Sequence, residues 1–192
     1  MKLSPPEFRA MNSALRRAGQ RYFELPMFQR LGLNLRGRDV LEVGCGSGYG
    51  AYLLNQLAPR RYLGFDLMEE QLALARQRYP QFDFRLLDAA DLSSLPDASF
   101  DAAIIFGVLH HVPAWRAALD ELGRVLKPGG QLFLEEPRGH DIRLFDFFFR
   151  WAHPDSDFSL RGLDEHLYAR GWTLVRKQWT PLLTMYHWGK MQ

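Results

Sequence analysis

Glycines 44, 46 and 48 crowd into one short stretch, Glu42-Val43-Gly44-Cys45-Gly46-Ser47-Gly48. A turn of this kind bends sharply and lets backbone approach a ligand, because no Cβ intervenes. A helix that starts just after it offers free N–H groups to an anion. Two carboxylates limit what that ligand can be. Glu42 stands two residues before the first glycine, where it would repel a pyrophosphate and attract an ammonium group. Asp66 lies 18 residues beyond Gly48, at the end of a second apolar run. A carboxylate there can accept hydrogen bonds from both hydroxyls of a ribose, or it can cap the helix that follows. The glycine spacing is tighter than the GxGxxG of dinucleotide sites. The ligand inferred is a nucleoside carrying an amino acid head.

The elements that must position these residues read as alternating strands and helices. Residues 38–43 read as a strand that runs into the turn, and a helix is expected over 49–57. Residues 61–65 and 82–87 read as strands, with a helix over 69–79 between them. Residues 101–106 are continuously apolar after Asp101, as in a strand buried on both faces. A helix over 114–126 should stop at Lys127-Pro128-Gly129-Gly130, with glycine as its cap, before a strand over 131–135. A helix over 162–169 and strands over 172–175 and 181–188 would close the chain. Residues 6–31 look helical, with a break at Pro26. Such alternation implies a mainly parallel sheet covered on both faces, with ligands beyond the C-terminal strand ends.

Bulk properties narrow the class. The chain has 192 residues, of which 47% are hydrophobic and 14% aromatic, fitting one folded domain. The single cysteine, Cys45, leaves no internal disulfide and no CxxC-type metal site. No apolar stretch is long enough to span a membrane, and residues 1–17 lack a secretory apolar core, so a cytoplasmic location is expected. Net charge is +2 but uneven: residues 1–40 hold eight Lys/Arg against three Asp/Glu, and residues 41–136 hold eight against thirteen. The basic ends read as solvated faces or as attractors of an anionic partner.

In their order along the chain these motifs resemble the class I S-adenosylmethionine-dependent methyltransferases, small-molecule type 11 group, which are similar to those of ubiquinone biosynthesis. The resemblance covers residues 38–136. It is carried by 42–48, by Gly64-Phe65-Asp66-Leu67, by Leu87-Asp88-Ala89-Ala90-Asp91-Leu92, by Phe106-Gly107-Val108-Leu109-His110-His111-Val112 and by Leu126-Lys127-Pro128-Gly129-Gly130. It implies a Rossmann-like, doubly wound, seven-stranded, mostly parallel sheet, with one antiparallel strand near the C-terminus and helices on both faces. It implies S-adenosylmethionine as cofactor and S-adenosylhomocysteine as product. Glu42 and the backbone of Gly44, Cys45, Gly46 and Gly48 are expected at the methionine end. Asp66 is expected at the ribose, Leu67 beside the adenine, Asp88 and Ala89 at the adenine edge, and Phe106 and Gly107 near the sulfonium. Cys45 needs only to be small.

An activated methyl donor leaves the protein mainly to align and desolvate, so a general base is optional. His111 is the first candidate, and His140 or Asp141 the second. His110 is expected to face away, and one of Glu135 and Glu136 to enter the cleft. No Asn/Asp-Pro-Pro-aromatic motif follows the fourth strand, no second cysteine exists, and no metal site is expected. Residues 143–151, Arg-Leu-Phe-Asp-Phe-Phe-Phe-Arg-Trp, read as an acceptor lid, or as core packing or a subunit interface. The domain reading is therefore single: a helical lid over 1–35, a core over 38–136, an acceptor lid over 137–160, then a helix and strands over 161–192. The expected partner is a small hydrophobic or aromatic acceptor, met by a monomer or homodimer. RNA or protein methylation and catalytically silent cofactor binding are the alternatives.

Overall fold

The computed structural model describes residues 4–137 and 156–191. Helices α1 (Pro5–Met11), α2 (Ala14–Gly19) and α3 (Leu25–Arg30) precede a sheet of seven strands. The rest runs β1 (Asp39–Val43), α4 (Tyr49–Asn55), β2 (Arg61–Asp66), α5 (Glu69–Arg78), β3 (Asp83–Leu86), β4 (Phe100–Phe106), α6 (Trp115–Val125), β5 (Leu126–Pro137), α7 (Leu160–Ala169), β6 (Trp172–Trp179) and β7 (Leu183–Lys190). Strand order is β3-β2-β1-β4-β5-β7-β6, and only β7 runs antiparallel to its neighbours. This is the doubly wound, Rossmann-like sheet expected. The order reverses between β1 and β4, which opens a crevice at their C-terminal ends.

Each face of the sheet is covered because the helices carry apolar stripes at helical spacing. On α6, Trp115, Ala118, Leu119, Leu122 and Val125 recur every three or four residues and are buried. They pack with Leu163 and Leu167 of α7 on Leu41, Val43, Ile105 and Leu134. On the other face, Phe28 of α3, Ala51 and Leu54 of α4, and Leu72 and Ala75 of α5 pack on Val40, Ala102, Ile104 and Phe133. The N-terminal segment is tied to β7: the buried His187 places Nδ1 2.9 Å from the Leu31 carbonyl, and Arg176 of β6 donates to the Arg30 carbonyl at 3.0 Å. Among the described residues no helix is long and apolar enough to cross a membrane.

Two local expectations are corrected. Pro26 does not break the helix. A widened turn over Gln20–Glu24 precedes it, in which the Leu25 N–H reaches the Gln20 carbonyl, and this turn absorbs the bond that proline cannot donate. Nor does glycine cap α6. The capping residue, Leu126, is already extended, and Lys127-Pro128-Gly129-Gly130 belong to β5. Tertiary donors replace the glycine cap: Ala98 and Ser99 N–H groups bond the Arg124 and Val125 carbonyls at 3.0 and 2.8 Å, and Lys190 Nζ bonds that of Leu126 at 2.7 Å. β6 also extends past 175 to Trp179, with a bulge between Leu174 and Arg176 that leaves Val175 exposed.

Candidate active site

A cavity of about 470 Å³ opens at the switch point, walled by the ends of β1, β2 and β4, the segment after β3, and the N-terminal helices. The turn after β1 has positive φ at Gly44 (66°) and Gly46 (51°), a region that L side chains rarely adopt. The two glycines serve different ends. A Cβ on Gly44 would lie 2.6 Å from Val108 Cγ1. A Cβ on Gly46 would meet nothing within 4 Å, because it would enter the cavity. Gly48 was expected at the ligand but does not line the cavity. Its φ of 83° starts α4, and a Cβ there would strike Phe84 at 2.9 Å, so it is a packing glycine.

Glu42 is buried at the cavity wall, where the Tyr62 hydroxyl donates to Oε2 at 2.5 Å. Burial pushes its carboxyl up to about 8, against the opposing pull of the Tyr62 bond. Gly50 is part of the same arrangement. It sits in the first turn of α4 and is buried. A Cβ there would collide with the Glu42 carboxylate.

Asp66 joins two loops: Oδ2 accepts the Gly46 N–H at 2.9 Å, and Oδ1 accepts the Met68 N–H at 2.9 Å. It therefore shapes both the glycine turn and the entry to α5, while facing the cavity. Leu67 is exposed beside it. Asp88 Oδ1 accepts the Ala90 N–H at 2.9 Å, and Asp88 and Ala89 both line the cavity. The Cys45 thiol is buried, and burial pushes its pKa well up, which suits packing and not nucleophilic attack.

Phe106 and Gly107 close the far wall, followed by Val108, His111, Val112 and Pro113. The two histidines separate. His111 lines the cavity, whereas His110 turns to Glu136, with Nδ1 2.6 Å from Oε2. Glu136 Oε1 also accepts the Leu109 N–H at 2.8 Å, so this carboxylate pins the wall. Neither Glu135 nor Glu136 lines the cavity, which corrects the expectation for that pair. Their neighbours are protein groups instead. His140, Asp141 and the 143–151 stripe lie outside the described residues. Among the described residues no group of three His, Cys, Asp or Glu could hold a metal ion.

Sequence reasoning did not single out Met11, Arg16, Arg17 and Gln20, which wall the cavity from the N-terminal helices. Arg16 stands between two buried carboxylates. Its Nη1 bonds Glu24 Oε1, its Nη2 lies 3.8 Å from Glu135 Oε1, and Nη2 also donates to the Phe106 carbonyl at 3.4 Å. Burial raises the pKa of both Glu24 and Glu135, and the Arg16 cation pulls both back down. Gly50 carried a legible signal, since a fourth glycine so close to the turn implies close packing. Arg16 carried none, because nothing in the local sequence distinguishes it from Arg17.

The family of proteins described as "Methyltransferase domain" matches residues 41–134. That match spans the glycine turn, Asp66, Asp88 and the β4 wall. Residues 41–134 carry the methyltransferase domain of the type 11 group. A probable S-adenosylmethionine-dependent methyltransferase of Mycolicibacterium smegmatis is 44% identical over 130 residues, covering 65% of this chain and 50% of that protein. A fatty-acid O-methyltransferase of the same organism is 38% identical over 108 residues, covering 55% of this chain and 39% of that one. The chain thus spans half or less of the length of these relatives. The PH0226 protein of Pyrococcus horikoshii superposes with a TM-score of 0.80 over 96% of this chain and 95% of its own, at 19% identity, so it shares the fold.

S-adenosylmethionine is the cofactor of this methyltransferase family. The residues present fit it. The space beside Gly46 is one that a Cβ would fill, and the cavity pairs one deeply buried carboxylate, Glu42, with two others spaced along strand ends, Asp66 and Asp88.

Proposed function

We propose that this chain transfers a methyl group from S-adenosylmethionine to a small hydrophobic or aromatic acceptor by direct in-line displacement, leaving S-adenosylhomocysteine. The single observation that carries this reading is the cavity at the switch point, which gathers the acidic residues and the glycine turn against an apolar wall. The sulfonium supplies an already activated methyl. The protein's share is to bind, orient and exclude water.

In this reading Glu42 takes the ammonium, and the backbone of Gly44, Cys45 and Gly46 holds the methionine end. Asp66 accepts from the ribose hydroxyls. Leu67 flanks the adenine, while Asp88 and the Ala89 N–H meet its edge. Phe106 and Gly107 bound the region of the sulfonium. His111 is the described residue placed to receive an acceptor proton, and His110, held by Glu136, positions the loop. The apolar surfaces of Met11, Phe106, Val108, Val112 and Pro113 suit an oily acceptor. The likeness to a fatty-acid O-methyltransferase supports the same class.

Calorimetry tests this reading. The wild type is expected to bind S-adenosylmethionine. Asp66→Asn keeps one oxygen acceptor for its loops but loses the charge, and should bind about tenfold or more weakly. Undiminished affinity in that variant would remove Asp66 from the ribose site. Absence of binding by the wild type would overturn the whole reading. A screen of hydrophobic hydroxyl and carboxyl compounds, followed by S-adenosylhomocysteine release, then identifies the acceptor atom.

A further inference from the structure

The N-terminal helices present a surface unlike the rest of the molecule. Residues 4–30 carry two carboxylates, Glu7 and Glu24, and both are buried. Glu7 turns inward to accept the Ser4 N–H at 2.7 Å, and Glu24 is bonded to Arg16. The charged groups exposed along this segment are therefore all arginines: Arg9, Arg21 and Arg30. Between them stand large apolar side chains in water. Leu15 is 83% exposed and Tyr22 75% exposed, and Phe23 is exposed beside them.

Leu15 and Tyr22 are seven residues apart, so they fall on one side of the near-continuous helical run from Ala14 to Arg30. Arg21 lies over the Tyr22 ring, its Cζ 5.6 Å from the centroid. Tyr52 of α4, also exposed, stacks on Tyr49 at 5.7 Å, and Tyr49 lines the cavity. The same segment supplies Met11, Arg17 and Gln20 to the cavity wall. The exposed apolar side chains, with Arg21 over one of them, and part of the cavity wall thus belong to one segment.

We infer that this face docks on an anionic lipid bilayer surface, bringing the cavity mouth to the membrane. Arginines with no exposed carboxylate among them complement negative headgroups. Leucine, tyrosine and phenylalanine on a helix flanked by arginine are the side chains that settle at the boundary between headgroups and acyl chains. A nucleic acid would satisfy the arginines and could stack on the tyrosine, but would leave Leu15 in water. An acceptor drawn from the bilayer would then reach the cavity without crossing water. The inference extends the proposed function by naming where an oily acceptor comes from. Its test needs neither cofactor nor acceptor, so its failure leaves the methyl-transfer reading standing.

The experiment is flotation of the full chain with vesicles of phosphatidylcholine alone, and of phosphatidylcholine with about one third phosphatidylglycerol. Binding to the anionic vesicles is expected to exceed binding to the neutral ones at least about tenfold, and to fall steeply as salt is raised to about 0.5 M. The double variant Arg9→Glu/Arg21→Glu should lose binding. Leu15→Ser/Tyr22→Ser, which leaves the charge intact, should lose several-fold even at low salt, and should melt like the wild type because both side chains are already exposed. No binding to anionic vesicles at low salt overturns the proposal. So does wild-type binding by both folded variants, retention on bulk RNA in place of vesicles, or self-association that consumes this face.

Discussion

Replacing Glu42 with glutamine is expected to make the ligand-free protein more stable and its cofactor binding much weaker. Both effects come from one buried carboxyl. Its pKa rises from the usual carboxylate value to about 8 because burial disfavours the charge. The folded protein therefore holds a proton on Glu42 that the unfolded chain gives up. The stability this group contributes is fully present below about pH 4.5 and is lost as pH rises toward about 8. Glutamine keeps an oxygen for the Tyr62 hydroxyl and carries no charge to bury. Thermal melts should show the variant roughly 5–10 °C above wild type at pH 8.5, with the gap closing by pH 5.

Binding should move the other way. If Glu42 meets an ammonium group, the glutamine variant loses a buried charge partner, a change worth about 30-fold or more in affinity. In the wild type the bound carboxylate must shed its proton, so affinity for S-adenosylmethionine should rise from pH 6 to about 8 and fall again once the ammonium loses its own proton. Calorimetry across that range checks it. A flat profile, or a glutamine variant that binds like wild type, would separate Glu42 from the ammonium.

The second large effect is expected at Arg16. Removing its guanidinium leaves Glu24 and Glu135 buried without a cation, and each already has an oxygen with no hydrogen-bond partner. Breaking a buried ion cluster from one side costs roughly 3–5 kcal/mol. Arg16→Met preserves much of the side-chain volume, so the loss can be assigned to charge. The carboxylates of the variant would take up protons at a higher pH than in wild type. The deficit should therefore be large at pH 8 and shrink as pH falls toward 5. Denaturant titrations at the two pH values measure it. Limited proteolysis should also cut the N-terminal segment sooner, because Arg16 ties α2 to the ends of β4 and β5. A pH-independent deficit would show that packing of the arginine stem matters more than its charge.

The contrast between Glu42 and Arg16 explains what could be read without coordinates. Glu42, Gly44, Gly46 and Asp66 announce themselves because strand, turn and helix are local, and their spacing is short. The sheet followed from the same periodicity. Arg16 meets Phe106 across 90 residues, and no local pattern encodes a pairing of that reach. The end of α6 departs from its local composition for a related reason. Lys127-Pro128-Gly129-Gly130 has the local composition of a helix stop, but the Ala98, Ser99 and Lys190 donors that satisfy the carbonyls come from elsewhere in the fold. His110 and His111 are adjacent in sequence and differ only in which one Glu136 captures. That choice depends on β5 lying beside β4.

The placement of β7 bears on how the chain is made. It is translated after every other strand, yet it lies between β5 and β6. β6 therefore leaves the ribosome with no neighbour to pair with, and the sheet closes only when the last strand inserts. The segment before β1 waits as well, since the carbonyls of Arg30 and Leu31 are held by Arg176 and His187, 146 and 156 positions later. Contacts of such separation fold slowly and leave apolar surface uncovered in the meantime. The helices that wall the cavity are thus made before the strands that hold them, so a nascent chain can complete its glycine turn well before it has an enclosed site.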